Sequence, residues 1–192
     1  MKKTIILAVA LMVASVSMAA EALWLRYPAI SPDSNSVAFT YMGDIYVVDS
    51  KGGEARLLVT GKSHDYAPIW SPDGKTIAFA SDRYGNFDLF TVPAAGGDVK
   101  RVTTHSNDET PWCFSPDGGK IFFSGDLNTS AASRVYVHKA RAFLQQLYTV
   151  PVGGGQPHLI VPTVAEEVSV LASGVDFLYQ DHESGEEIWR KH

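Results

Sequence analysis

One phrase returns three times along this chain of 192 residues: Ser31-Pro32-Asp33, Ser71-Pro72-Asp73-Gly74 and Ser115-Pro116-Asp117-Gly118. The spacings are 40 and 44 residues. A fixed period in that range marks repeated supersecondary units. Each phrase leads into an apolar run with an aromatic: Val37-Ala38-Phe39, Ile77-Ala78-Phe79, Ile121-Phe122-Phe123. A second aromatic run and then a glycine pair follow each time, ending at Gly52-Gly53, Gly96-Gly97 and Gly153-Gly154. Four short strands per repeat, with turn residues at matched offsets, predict an all-β chain built of β-propeller blades.

The spacing places blade one at about 27–60, blade two at about 66–104 and blade three at about 110–162. Expected strands are 28–30, 37–41, 45–49 and 55–59, then 68–70, 76–80, 89–93 and 100–103, then 112–114, 120–124, 147–150 and 158–161. Val, Ile and aromatic runs bounded by Gly, Pro, Asp and Ser carry these expectations. A degenerate fourth repeat covers 166–192, with Phe177-Leu178-Tyr179 as its second strand and, beyond it, either Glu187-Ile188-Trp189 as a third strand or a further inserted loop. The result is an incomplete arc of three blades and part of a fourth.

The repeated phrase has a turn mechanism. Pro presets φ, Asp tolerates the next position, and Gly lets the chain swing into the following strand. Blade one carries Ser34-Asn35 instead, with Asn35 expected to accommodate the turn. Just before each phrase stands a large apolar residue, Ile30, Trp70 or Phe114, expected to pack between neighbouring blades.

Residues 1–19 read as a signal peptide: Lys2 and Lys3, an apolar run over 5–13, then small Ser17 and Ala19 before the cut. The run is short for a membrane anchor. The mature chain, about 20–192, is therefore expected in a periplasm or outside the cell, with no membrane association. Its end follows an apolar stretch without a closing turn, so an N-terminal piece of a longer protein is expected. Removal of the leader leaves 14 basic and 21 acidic residues, a net of −7. That balance disfavours nucleic acid as a partner. Cys113 is the single cysteine, so no intrachain disulfide forms, and it reads as a small core residue.

Candidate contact residues cluster in the links that lead into first strands. His64, Asp65 and Tyr66, and Asn107, Asp108 and Glu109, fall where a link crosses the rim of a propeller and can line the channel mouth. Hydrogen bonding of these side chains to the loop backbone is the alternative. Blade three adds fourteen residues within 127–146, by comparison with blade two. The insertion holds Arg134, His138, Lys139 and Arg141, a basic cluster in an acidic protein. It reads as a lip that attracts a carboxylate or as a solvated loop. No Gly-x-Ser-x-Gly elbow, phosphate loop or metal-ligand spacing occurs, so no catalytic residue, metal or cofactor is expected.

Residues 66–90, from Tyr66-Ala67-Pro68-Ile69-Trp70-Ser71-Pro72-Asp73-Gly74 to Asp88-Leu89-Phe90, resemble the WD-like propeller repeat of TolB and of tricorn-type proteases. The run 81–89 with Pro93-Ala94-Ala95-Gly96-Gly97, the inserted third blade, and the terminal Glu187 to His192 resemble the tricorn branch. That resemblance spans about 21–192. It implies a larger exported serine peptidase with PDZ-like and peptidase domains downstream, whose nucleophile and base lie outside this segment. It implies a gating or docking role here, with peptides or unfolded protein segments as partners. A TolB-like protein-binding propeller and the propeller of a prolyl-oligopeptidase-type enzyme are the alternatives.

Overall fold

The computed structural model describes residues 24–127, 145–174, 176–183 and 186–191. They form fifteen strands in four antiparallel sheets. Blade one is β1 (Arg26–Ile30), β2 (Ser36–Tyr41), β3 (Asp44–Asp49) and β4 (Arg56–Val59). Blade two is β5 (Asp65–Trp70), β6 (Thr76–Ser81), β7 (Asp88–Pro93) and β8 (Lys100–Arg101). Blade three is β9 (Glu109–Phe114), β10 (Lys120–Gly125), β11 (Gln146–Pro151) and β12 (His158–Val164). The fourth sheet has β13 (Glu166–Val170), β14 (Phe177–Glu183) and β15 (Glu186–Lys191). Within each sheet the strands are neighbours in chain order.

First strands touch one another in succession, β1 on β5, β5 on β9 and β9 on β13, whereas β4, β8 and β12 make no comparable mutual contact. First strands therefore crowd the inside of an arc and fourth strands splay outward. The arc is open: β13, β14 and β15 make no comparable contact with blade one.

Strand alternation explains how the blades stack. In β6, Ile77 and Phe79 face blade one and join Ala38, Ile45 and Val47, while Ala78 faces blade three and meets Ile121 and Phe123. The third seam buries Phe122, Leu147 and Val161 against Val168, Phe177 and Tyr179. Trp70 and Phe114 lie in the seams as expected. Ile30 does not, and is 61% exposed. Its face points away from blade two, and no described sheet covers it.

Each Ser-Pro-Asp turn repeats one hydrogen-bond pattern. The Ser71 hydroxyl donates to Asp73 Oδ1 (2.6 Å) and accepts the Thr76 amide (2.9 Å), and the Gly74 amide closes on the Ser71 carbonyl (2.9 Å). Ser31 and Ser115 do the same in their blades. The hydroxyl bond holds Asp33, Asp73 and Asp117 below the usual carboxylate range. Gly74 has φ +69° and lies against Pro32 of the preceding blade, as Gly118 lies against Pro72 and Gly174 against Pro116. In blade one the left-handed position falls on Ser34 (φ +61°), not on Asn35.

First strands start two or three residues earlier than the apolar pattern predicts, because a bulge interrupts each of them. Tyr27, Ala67 and Glu167 take positive φ at matched places, and two residues there oppose one on the second strand. Blade three has Pro111 at that place, which cannot take positive φ, and its register shifts at Trp112 instead. The leader (1–19) and most of the blade-three insertion, with Arg134, His138 and Arg141, lie outside the described residues.

Candidate functional site at the channel mouth

Antiparallel blades have two ends. One carries the Ser-Pro-Asp turns. The other carries the links between blades, and there first strands begin and second strands finish. Asp65 and Glu109 sit at this second end, not in loops but as the opening residues of β5 and β9. Both are fully buried.

Asp65 is held by Arg83, whose Nη2 lies 3.1 and 3.2 Å from its two oxygens, and by the Ser63 hydroxyl at 3.1 Å. The Arg83 guanidinium also binds the Ser81 hydroxyl and lies 4.6 Å from the Phe90 ring centre. The Asp65 amide donates to the Gly43 carbonyl of blade one at 2.7 Å. Asp65 thus joins an ion pair within blade two to a backbone bond to blade one.

Glu109 is the same position one blade on, with different chemistry. The Thr103 hydroxyl binds its Oε2, and its Oε1 has no partner. Burial pushes this carboxyl up to about 8, and the nearby Asp88 adds to the rise. A Cβ on Gly125, directly across from Glu109, would lie 3.4 Å from the Glu109 side chain. Asp88, fully buried, pairs with Arg101 at 2.6 Å, and burial raises its carboxyl too. Arg101 in turn lies 4.4 Å from the Tyr84 ring centre.

Tyr66 reaches across the first strands. Its hydroxyl is 2.9 Å from Thr110 Oγ1, and its ring meets Phe87 edge-on at 4.8 Å and Tyr27 at 5.4 Å. Burial raises the Tyr66 phenol. His64 is exposed, with its ring 6.1 Å from both Tyr66 and Phe87. Asp108 accepts the Phe87 amide at 3.2 Å. Asn107 is buried and donates to the Asp126 carbonyl at 2.6 Å. His64, Asp65, Tyr66 and Asp108 thus fall at one end of the arc, where His64 and Tyr66 present aromatic faces and Asp65 and Asp108 face protein groups.

Sequence reasoning passes over Arg83, Asp88 and Arg101. The run Asp82 to Asp88 carries two of them, but spacing alone does not show that a partner lies 18 residues back or 13 ahead. Cys113 is partly buried, and burial pushes its thiol up to about 11. Among the described residues no group of three or more His, Cys, Asp or Glu is placed to hold a metal ion. Among them, too, no helix is long and apolar enough to cross a membrane. This end of the arc offers stacking faces, hydrogen-bond donors and carboxyl groups in fixed surroundings.

Residues 22–192 match the family of the tricorn protease N-terminal β-propeller domain. An uncharacterized peptidase, YuxL of Bacillus subtilis (strain 168), is 32% identical over 69 residues, 31% of this chain and 10% of that protein. TolB from Acinetobacter baumannii shares the fold at TM-score 0.68 and 23% identity, over 88% of this chain and 40% of TolB. The tricorn protease does so at TM-score 0.61 and 22% identity, over 81% of this chain and 15% of that structure. Puromycin hydrolase does so at TM-score 0.62 and 15% identity, over 84% and 25%. The chain therefore spans between a tenth and two fifths of the length of these relatives. The arc, its inner first strands and the match over nearly the whole described chain agree: this chain belongs to the tricorn protease N-terminal β-propeller family.

Proposed function

We propose that this chain is the non-catalytic propeller portion of an exported tricorn-like serine peptidase, and that its channel mouth docks or gates peptide segments for a peptidase domain further along the polypeptide. The observation that carries the reading is the family match over residues 22–192. The mouth supports it. Tyr27, Tyr66, Phe87 and exposed His64 form a row of rings on which an extended peptide can stack. Export rests on Lys2, Lys3, the apolar run 5–13 and the small residues Ser17 and Ala19. Peptides or unfolded protein segments are the partners, together with the PDZ-like and peptidase domains.

Two measurements test this. Incubation of the chain with labelled unfolded casein is expected to give no hydrolysis above background. Fluorescence anisotropy with labelled unstructured peptides is expected to show saturable binding. Hydrolysis that a serine-directed inhibitor abolishes would overturn the non-catalytic assignment. Binding of folded envelope proteins but of no peptide would replace the docking role with a TolB-like one.

A further inference from the structure

The mouth end of blade one holds a cavity of about 630 Å³ lined by Trp24, Arg26, Tyr27, Tyr41, Met42 and His64, with Thr40 and Gly43 completing it. That volume suits one or two side chains of a ligand. We propose that it is a docking subsite for an extended peptide segment that carries an apolar side chain next to a carboxylate. The proposal deepens the peptide-docking reading and rests on it.

Three independent features of the cavity call for such a ligand. The first is apolar surface left in water. Trp24 is 74% exposed, Met42 83% and Tyr27 48%. Large apolar groups gathered around a concavity mark a contact site rather than the scatter of a normal surface. The second is a cation without a counter-ion. Among the described residues Arg26 forms no ion pair, and its guanidinium lies 5.5 Å from the Trp24 ring centre. A guanidinium binds a carboxylate through two parallel N–H bonds. In a mature chain of net charge −7, this cation is a local exception, and it selects an acidic ligand group.

The third feature is an orphaned donor. Thr40 is only 4% exposed, and its hydroxyl has no hydrogen-bond partner. Buried polar groups are otherwise nearly always paired. Ser124 shows what this position does when satisfied. It lies opposite Thr110 as Thr40 lies opposite Arg26. The Ser124 hydroxyl accepts Trp112 Nε1 at 2.6 Å and donates to the Ala165 carbonyl of the next blade. In blade one, Pro28 stands where Trp112 would, and the Thr40 hydroxyl makes no bond to the next blade like that of Ser124 to Ala165. Thr40 and Arg26 are directly paired across β1 and β2, so their side chains leave the same face of the sheet. A carboxylate entering the cavity meets the Arg26 guanidinium beside the buried Thr40 hydroxyl, while the adjacent side chain rests on Trp24, Tyr27 and Met42.

The grooves at the opposite end lack this combination. Their walls are the Ser-Pro-Asp turns, whose hydroxyls and carboxylates are already bonded to each other.

The test uses three fluorescein-labelled Gly/Ser-rich peptides with a central Phe-Glu, Phe-Lys or Ser-Glu, titrated with the whole chain by anisotropy. The Phe-Glu peptide is expected to bind at least about tenfold more tightly than either control, a difference of about 1.4 kcal/mol. It should also change the emission of exposed Trp24, a change lost in Trp24→Phe. Arg26→Glu is expected to invert the preference between Glu and Lys. Thr40→Val is expected to weaken the Phe-Glu peptide several-fold without lowering the melting temperature, which separates a binding role from a structural one. Equal binding of the three peptides, or no response to Arg26→Glu in a variant that melts like the parent, would overturn the subsite and leave the docking reading standing. No peptide binding at all would overturn both.

Discussion

Asp65 and Glu109 open the first strands of successive blades, both without exposure to solvent, yet one meets a guanidinium and the other does not. Asp65 shares its two oxygens with Arg83, which itself lies against Phe90. Glu109 has the Thr103 hydroxyl and the Leu89 backbone beside it, one oxygen without a partner, and both Asp88 and Arg101 nearby, but it forms no ion pair among the described residues. The backbone repeats because the turn and bulge geometry repeats. The chemistry of the seam does not, because each buried carboxyl must be satisfied by whatever side chain its own neighbour brings. The carboxyl between blades one and two meets a guanidinium, and the equivalent carboxyl between blades two and three is pushed up by burial.

The strongest way to break the first seam is through its aromatic. Trp70 packs on the blade-one cluster and donates Nε1–H to the Ala29 carbonyl at 2.9 Å. Trp70→Ala is expected to cost about 3–5 kcal/mol, seen as a lower denaturant midpoint, and an unchanged midpoint would refute its role. Next comes the ion pair. Asp65→Ala leaves Arg83 without its carboxylate, and a loss of about 3 kcal/mol is expected. Adding Arg83→Ala to Asp65→Ala should recover part of that loss. A double variant less stable than Asp65→Ala alone would show that Arg83 works through its ring contacts and not through the pair.

Glu109 sharpens the comparison through pH. Its carboxyl is raised from 4.5 to about 8 in the folded chain. The native state then binds more protons than the unfolded state between those values, so stability falls as pH rises across that window. The contribution is complete below about 4.5 and is lost above about 8. Glu109→Gln is expected to flatten the fall in melting temperature between about pH 5 and about pH 9, leaving the low-pH midpoint nearly unchanged. An identical slope in wild type and Glu109→Gln would assign the pH dependence to Asp88 or other groups. The smallest effect belongs to the blade-one turn, where Ser34 occupies the left-handed place that glycine fills elsewhere. Ser34→Gly is expected to stabilise by about 1 kcal/mol, and a destabilised variant would contradict that account of the turn.

Much of the fold was legible in the chain. The Ser-Pro-Asp phrases located every second strand, and Phe177-Leu178-Tyr179 located one even where the phrase had decayed to Ser173-Gly174. The starts of the first strands were not legible. The bulges at Tyr27, Ala67 and Glu167 place two residues opposite one, which breaks the alternation that marks a strand. Ile30 was misjudged because sequence marks a residue as apolar without saying whether a neighbouring sheet covers it. The position of the links pointed to His64, Asp65, Tyr66 and Asp108 as candidates, whereas no sequence signal pointed to Arg83 or to the orphaned Thr40 hydroxyl. Their meaning lies in partners that are present, or missing, across a seam.

By itself the sequence determined the period, the turn chemistry and the strand faces, since these depend on residues a few positions apart. Only the tertiary structure decided which carboxyls are paired, which hydroxyl is left over and which apolar groups stay in water. Those outcomes depend on what stands opposite in the next sheet, and burial turns such a neighbour, or its absence, into a large energetic difference.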